Sequence, residues 1–379
     1  MPAPSSAELR VLFAGDAMLG RGIDQALPHP GDPSLYETWR GLDDARFFLE
    51  RAARTNGPLP EVRGFDYIWG ETLAVMDALS PDLRLVNLEC AIAAGGAPAP
   101  EKRMHFRMNP ANVETLTRAR IDLCALANNH ILDWGEAGLR ETIATLDGAG
   151  IRHAGAGRHR DAACAPAILD IPGKGRVVLV SLATRSSGVR RAWAAGLARP
   201  GVNWIALERL WLDDLRRQLD GVKRAGDLLI VSIHWGDNYD FTIHPQQRRF
   251  AQALIDELGV DLIHGHSSHH AKGIELYKGK AILYGCGDFI NDYETLEPRV
   301  DPRVFPHDLG ALYLARFALP EGNLLGLELR PIRMRRLSAT MAGAEDAARL
   351  AAILNREGAA LGTTIALADG LLQVLPRNS

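Results

Sequence analysis

Four shortages in the sequence narrow its reading. There are four cysteines in 379 residues, and none is spaced Cys-x-x-Cys, which argues against a cysteine-type zinc site. Most of them sit in or beside apolar runs and read as buried thiols. No run approaches the ~18 apolar residues of a membrane-spanning helix. The start, MPAPSSAELR, has neither a basic n-region nor an apolar h-region, so a cytoplasmic protein is expected. Charge of one sign is also missing. The net charge is −3, which gives no electrostatic case for nucleic acid or an anionic membrane.

What remains is ordinary globular composition, 47% hydrophobic and 23% charged, with no repeat and no low-complexity tract. Single cores stop growing near ~250–300 residues, so the length suits one large domain with additions, or two domains. From Leu9 to about Phe289 short apolar strands alternate with amphipathic helices. LRVLFAGD (9–16), LRLVNLE (83–89), IDLCALANNH (121–130), GRVVLVSLA (175–183), DLLIVSIHWG (227–236) and VDLIHGH (260–266) read as strands. Residues 26–64 read as a lid-like excursion with one helix, DDARFFLERAAR. GIELYKGKAILYGCGDF reads as a hairpin turning at Lys278-Gly279, and a helix over about 344–361 is expected to close the chain. The pattern predicts α/β architecture with mixed sheets.

In open α/β sheets, function gathers in the loops after strand carboxyl ends. Five apolar strands here end in metal-binding side chains: Asp16, Glu89, Asn128-Asn129-His130, His234 and His266. Singly, Asp16 reads equally as a turn cap, the asparagines as turn chemistry and His234 as a core histidine. Together they supply carboxylate, amide and imidazole from separate loops, as a metal ion requires. In HGHSSHHAKG (264–273), His266 and His269 read as the functional members, and His264 and His270 as their support.

The stretches AGDAMLGR (14–21), VNLECAI (86–92), FRMNPANV (106–113), ANNHILDWGEAGLRETIATLDGAGIRHAGAG (127–157), SIHWGDNY (232–239) and VDLIHGHSSHHAKGIELYKGKAILYGCGDFIND (260–292) resemble the CapA family of capsule-synthesis-like proteins. The resemblance implies a calcineurin-like metallophosphoesterase fold, a four-layer αββα sandwich with a metal site at one edge. It implies a single domain over 1–379, with a strand/helix extension at 320–379. Two departures stand out. The family fold's Asp-x-His is absent, because Asp16 is followed by Ala17 and Met18. Its Gly-His-x-His appears as Gly265-His266-x-x-His269.

The loop YGCGDFINDYE (284–294) resembles one branch of the family, which includes a lasso-peptide epimerase. The expectation is therefore a metal-dependent peptide epimerase inverting the α-carbon of a C-terminal residue. Alternatives are a metal-dependent hydrolase of phosphoesters or amides, and a polymer-assembly protein. Asp16, Glu89, Asn129, His234 and His266 are the expected metal ligands. His130 with Asp133, His234, His269, Asp16 and Asp288 are the expected acid-base groups. Arg107 is expected to anchor a substrate carboxylate, and Trp134, Trp235 and Tyr239 to form a substrate pocket. The expected cofactor is a divalent ion, with Ca, Mn, Mg and Zn all open and no organic cofactor. The expected partner is a peptide substrate, with no nucleic acid and no membrane.

Overall fold

A computed structural model describes residues 7–37, 41–100, 102–295 and 300–377. The stretch MPAPSS, on which the expectation about export partly rests, lies outside them. Two sheets dominate. In the first, Ala7–Ala17, Leu83–Leu88, Leu123–Ala125 and Arg152–Ala154 run parallel, and Leu309–Leu319 and Asn323–Arg335 continue it antiparallel on the other side of Ala7–Ala17. In the second, Gly175–Thr184, Leu228–His234, Leu262–His266 and Lys280–Leu283 are parallel neighbours.

Side-chain alternation explains the layers. Leu9, Val11, Phe13, Leu83 and Leu85 of the first sheet meet Val177, Leu179, Leu228, Ile230 and Leu262 of the second in one buried cluster. The opposite face of the second sheet, with Val178, Leu229 and Ile263, is covered by helices Arg209–Leu219 and Pro245–Leu258. The outer face of the first, with Leu12, Val86 and Cys124, packs under helices that include Gly135–Gly148. The order is helix, sheet, sheet, helix: the expected four-layer αββα sandwich. No helix among the described residues is long and apolar enough to cross a membrane.

The hairpin at Lys278-Gly279 forms as expected, with both residues at positive φ. The chain's end differs from expectation. Helix Ala344–Gly358 does not close it; strands Thr363–Ala368 and Leu371–Pro376 follow and extend the first sheet. Asp369-Gly370, both at positive φ, makes that turn, and Asp-Gly between apolar runs is a strong hairpin signal. Within 26–64, helix Arg46–Asn56 forms, and the excursion is tied down where buried Glu37 accepts from Arg21 Nη1 at 2.7 Å.

Candidate metal and acid-base centre

The inner faces of the strands turn from apolar to polar at their carboxyl ends. Leu228 and Ile230 are followed on the same face by Ser232 and His234. Leu262 is followed by His264 and His266, and the register sets Ser232 beside His264 and His234 beside His266. On Leu83–Leu88 the same alternation leads to Asn87 and then Glu89. Asp16 has the parity of the helix-facing Leu12 and Ala14. A register irregularity between Ala14 and Asp16 turns it inward, as a bulge does. Gly15 permits this, because a Cβ there would lie 1.7 Å from the Gly287 carbonyl oxygen.

Five residues expected from the strand ends thus converge, all buried except the half-buried Asn129. Asp16, His234 and His266 each offer a ligand atom within 4.8 Å of the others. Asn129 Oδ1 lies 3.0 Å from His234 Nε2. Glu89 Oε1 lies 3.8 Å from His234 Nε2 and 3.9 Å from His130 Nε2. Asn87 Nδ2 bridges the two carboxylates, donating to Asp16 at 2.7 Å and to Glu89 at 3.2 Å.

The hydrogen-bond network fixes the tautomer of His266. The Ala14 carbonyl can only accept, so His264 Nε2–H donates to it at 2.9 Å. Burial holds His264 at about 4, hence neutral, and its Nδ1 must accept from the Ser232 hydroxyl at 3.0 Å. Ser232 Oγ then accepts from His266 Nε2–H at 2.8 Å. Burial also keeps His266 and His234 well below their ordinary value. His266 Nδ1 is therefore a bare lone pair. His234 donates Nε2–H to Asn129 Oδ1, which leaves its Nδ1 bare as well.

These two Nδ1 atoms are 2.6 Å apart. Glu89 Oε1, fully buried, finds no hydrogen-bond donor among the described residues. Burial, and then the charge of Asp288, push Asp16 up to about 6, and burial with Asp16 raises Glu89 well above the carboxylate range. Facing lone pairs, an orphaned carboxylate oxygen and crowded acids all call for a cation. The donor set fits a divalent metal, held by Asp16, Glu89, Asn129, His234 and His266.

Two further histidines flank this set. His130 Nδ1 lies 2.6 Å from Asp133, and burial outweighs that carboxylate, lowering His130 to about 4. It is neutral, with Nδ1–H on Asp133 and Nε2 bare toward Glu89. His269 behaves oppositely. Burial opposes its charge, but Asp288 at 2.8 Å and then Asp16 overcome this, and its pKa is raised. Asn291 Nδ2 holds the other Asp288 oxygen at 2.9 Å.

A family model for the bacterial capsule synthesis protein PGA_cap matches residues 10–293. The chain belongs to that family. It is 43% identical over 370 residues to a probable polyglutamine synthesis accessory protein of Mycobacterium tuberculosis, covering 97% of this chain and 96% of that one. It is 27% identical to the PGA biosynthesis protein CapA of Bacillus subtilis, over 75% of this chain and 63% of that one. A solved phosphatase from Mycoplasma pneumoniae overlays on 86% of this chain and 94% of its own, at 10% identity and TM-score 0.49.

Not every expected residue joins the centre. Trp235 is 1% exposed, its indole N–H bonded to the Tyr284 carbonyl at 3.0 Å. It packs under the helices of the second sheet and forms no substrate wall, because it points away from His234 along the same strand end. The Arg107 guanidinium lies 3.6 Å from the Trp134 ring and 3.7 Å from Asp32, so cation–π packing occupies both expected substrate groups. Tyr239 fares better, half-buried with its ring 5.7 Å from that of His269. Met18, at the position of the missing histidine, is buried against the Tyr293 hydroxyl at 3.4 Å.

Lys102 and Ser232 were not singled out from the sequence. Lys102 Nζ is hydrogen-bonded to Asp133 and to the Asn129 carbonyl, 3.3 Å from His130 Nδ1. It lies in a loop, where no periodicity marks it. Ser232 carried a signal: a hydroxyl two residues before His234, on the same inward face of an apolar strand.

Proposed function

We propose that the chain is a metal-dependent peptide epimerase inverting an α-carbon. The observation that carries this is the pair of buried histidines, His130 and His269, each with Nδ1 on its own carboxylate, Asp133 at 2.6 Å and Asp288 at 2.8 Å, beside one cation site. Inversion needs a base on one face and an acid on the other. His130 Nε2 takes the α-proton, with Asp133 holding the Nδ1–H tautomer. His269, an imidazolium kept charged by Asp288, donates from Nε2–H to the opposite face. The cation, when bound, stabilises negative charge on the substrate carbonyl or carboxylate.

Two substrates follow. A C-terminal residue of a lasso-type precursor is suggested by the family branch. A growing amide polymer is suggested by relatives named for polyglutamine synthesis and PGA biosynthesis. Incubating either with the metal-loaded protein in D₂O is expected to give α-deuterium with inversion and no cleavage, silenced by EDTA. Cleavage without α-deuterium overturns the reading.

One observation favours hydrolysis as the second reading. Asp16 belongs to two candidate ligand groups, one with His234 and His266 and one with His269 and Asp288. A carboxylate shared in this way suits a two-cation hydrolytic centre. The absent Asp-x-His, with Met18 buried in its place, counts against it.

A further inference from the structure

One buried side chain outside the proposed acid-base pair touches the walls of both His130 and His269. It is Arg21. Its guanidinium lies over the rings of Phe48 and Phe106, 4.5 and 4.6 Å from their centroids. Phe106 is a wall of His130: the two rings meet edge to face with centroids 4.4 Å apart, and the Phe106 N–H donates to Asp133 at 2.7 Å. On its other side Arg21 donates to Asp292, from Nε at 3.1 Å and from Nη2. Both neighbours of Asp292 serve His269. Asn291 donates to the Asp288 carboxylate at 2.9 Å, and the Tyr293 ring lies 5.8 Å from the His269 ring and 5.7 Å from the guanidinium. One guanidinium thus spans the surroundings of the two histidines.

Two features set Arg21 apart from an ordinary buried ion pair. Its backbone, at φ 50° and ψ −122°, lies in a region that favours glycine. Bulky residues kept in such conformations gather at functional sites. The second feature is Glu37, which brings the 26–64 excursion to the same guanidinium at 2.7 Å from Nη1. Burial opposes the arginine's charge, but Asp292 and then Glu37 overcome this. Glu37 uses one oxygen for the contact, and its buried Oε2 finds no hydrogen-bond partner among the described residues. A half-satisfied buried carboxylate is a poor stabiliser, so stability alone does not account for the contact. The excursion also rests on both sequence neighbours of Phe106. The Tyr36 and His105 rings are edge to face with centroids 6.1 Å apart, and Asp32 lies 3.7 Å from Arg107. The position of the excursion therefore reaches Phe106 through three contacts.

We propose that Arg21 is a positioning residue for the acid-base pair, engaged by the excursion through Glu37. With Glu37 in place, carboxylates orient the guanidinium from two sides. It then holds Phe106 against His130 and residues 291–293 against His269. This fixes the separation of two rings that must face one α-carbon from opposite sides. In such a geometry a misplacement of ~1 Å can lower the rate about 10²-fold. The inference rests on the acid-base reading for its consequence in turnover, but the positions of the two rings are read without turnover.

The test is NMR of the whole protein with isotope-labelled histidine, in chelator and again with zinc, on wild type, Glu37→Gln and Arg21→Ala. Glu37→Gln removes a charge that bonds to Arg21 and to neither histidine. It is expected to shift the ring resonances of His130 and His269 together, as Phe106 and Tyr293 move relative to them. His153, on the edge strand Arg152–Ala154, is expected to stay in place. Arg21→Ala is expected to shift both resonances further, and methylguanidinium, but not potassium chloride, to restore them. With a peptide or amide polymer that reacts in the D₂O assay, kcat for inversion is expected to fall about tenfold in Glu37→Gln and about 10²-fold in Arg21→Ala, with KM little changed. Wild-type resonances in Glu37→Gln overturn the proposal. Shifts in Arg21→Ala that methylguanidinium leaves unrestored also overturn it, because the arginine then only fills space. A raised KM with unchanged kcat overturns it in favour of substrate binding. Paired shifts that methylguanidinium reverses, without inversion of any substrate, sink the epimerase reading and leave the positioning role standing.

Discussion

The Nδ1 atoms of His234 and His266 face each other at 2.6 Å, and the network behind each leaves both without a proton. For His266 that network is a relay, Ala14 carbonyl to His264 to Ser232 to His266. Groups behind a metal ligand that fix its tautomer commonly contribute 10–100-fold in metal affinity. Ser232→Ala breaks the relay without touching the cation. Its affinity for Mn or Zn is expected to fall by about that factor in a competition titration, and the melt in EDTA to fall by the cost of the two imidazole nitrogens left unpaired, about 1–3 kcal/mol each. Wild-type affinity in Ser232→Ala removes the relay from the account.

Much of this centre was legible, for a physical reason. A parallel strand buried on both faces reads as an apolar run, so a polar residue at its end marks the active edge. Asp16, Glu89, Asn129, His234 and His266 announce themselves in this way, and the structure brings them together. What alternation cannot reach was lost. Lys102 arrives from an irregular loop. Trp235, expected with the other rings in a substrate pocket, follows His234 directly, and adjacent residues on a strand point to opposite faces. Arg107 and Trp134 come from separate segments, and nothing in either segment marks that the two stack on one another. The C-terminal hairpin has its own local signal in Asp369-Gly370, after a helical pattern expected to close the chain.

Asp16 gives a pH signature. Its folded value is raised to about 6, from an ordinary 3.8. The stability tied to its neutral form is fully present below pH ~4 and is lost as pH rises through ~6. In chelator, Asp16→Asn removes that loss. The variant's advantage over wild type is expected to grow between pH 4 and pH 7.5 by on the order of 3 kcal/mol. Denaturant melts at the two pH values measure it. A difference that stays flat with pH would mean that Asp16 is not held neutral by its surroundings.

Lys102 should tune the base. Burial is the largest cause of the low His130 value, and the Lys102 cation adds to it against the pull of Asp133. Lys102→Met removes the cation and leaves Asp133 to His130 and the Phe106 backbone N–H. The His130 pKa, followed by NMR in metal-free protein, is expected to rise from about 4 toward the ordinary histidine value. A value unchanged or lower in the variant would show that the lysine's charge does not reach the ring.

The two histidines can be separated by what each leaves undone. If His130 removes the α-proton and His269 delivers to the other face, then His269→Gln keeps the base and loses the acid. The carbanion formed by His130 is reprotonated from the side it came from, by a ring nitrogen that exchanges with solvent. In D₂O this variant is expected to wash deuterium into the α-position with retention, while inversion falls by about 10²–10⁴-fold. His130→Gln, tested from the same substrate enantiomer, should lose exchange and inversion together. Chiral analysis with mass spectrometry reads both quantities in one experiment. Equal loss of exchange in the two variants would count against separate faces for the two histidines, and would return His269 to the ligand group it forms with Asp16 and Asp288.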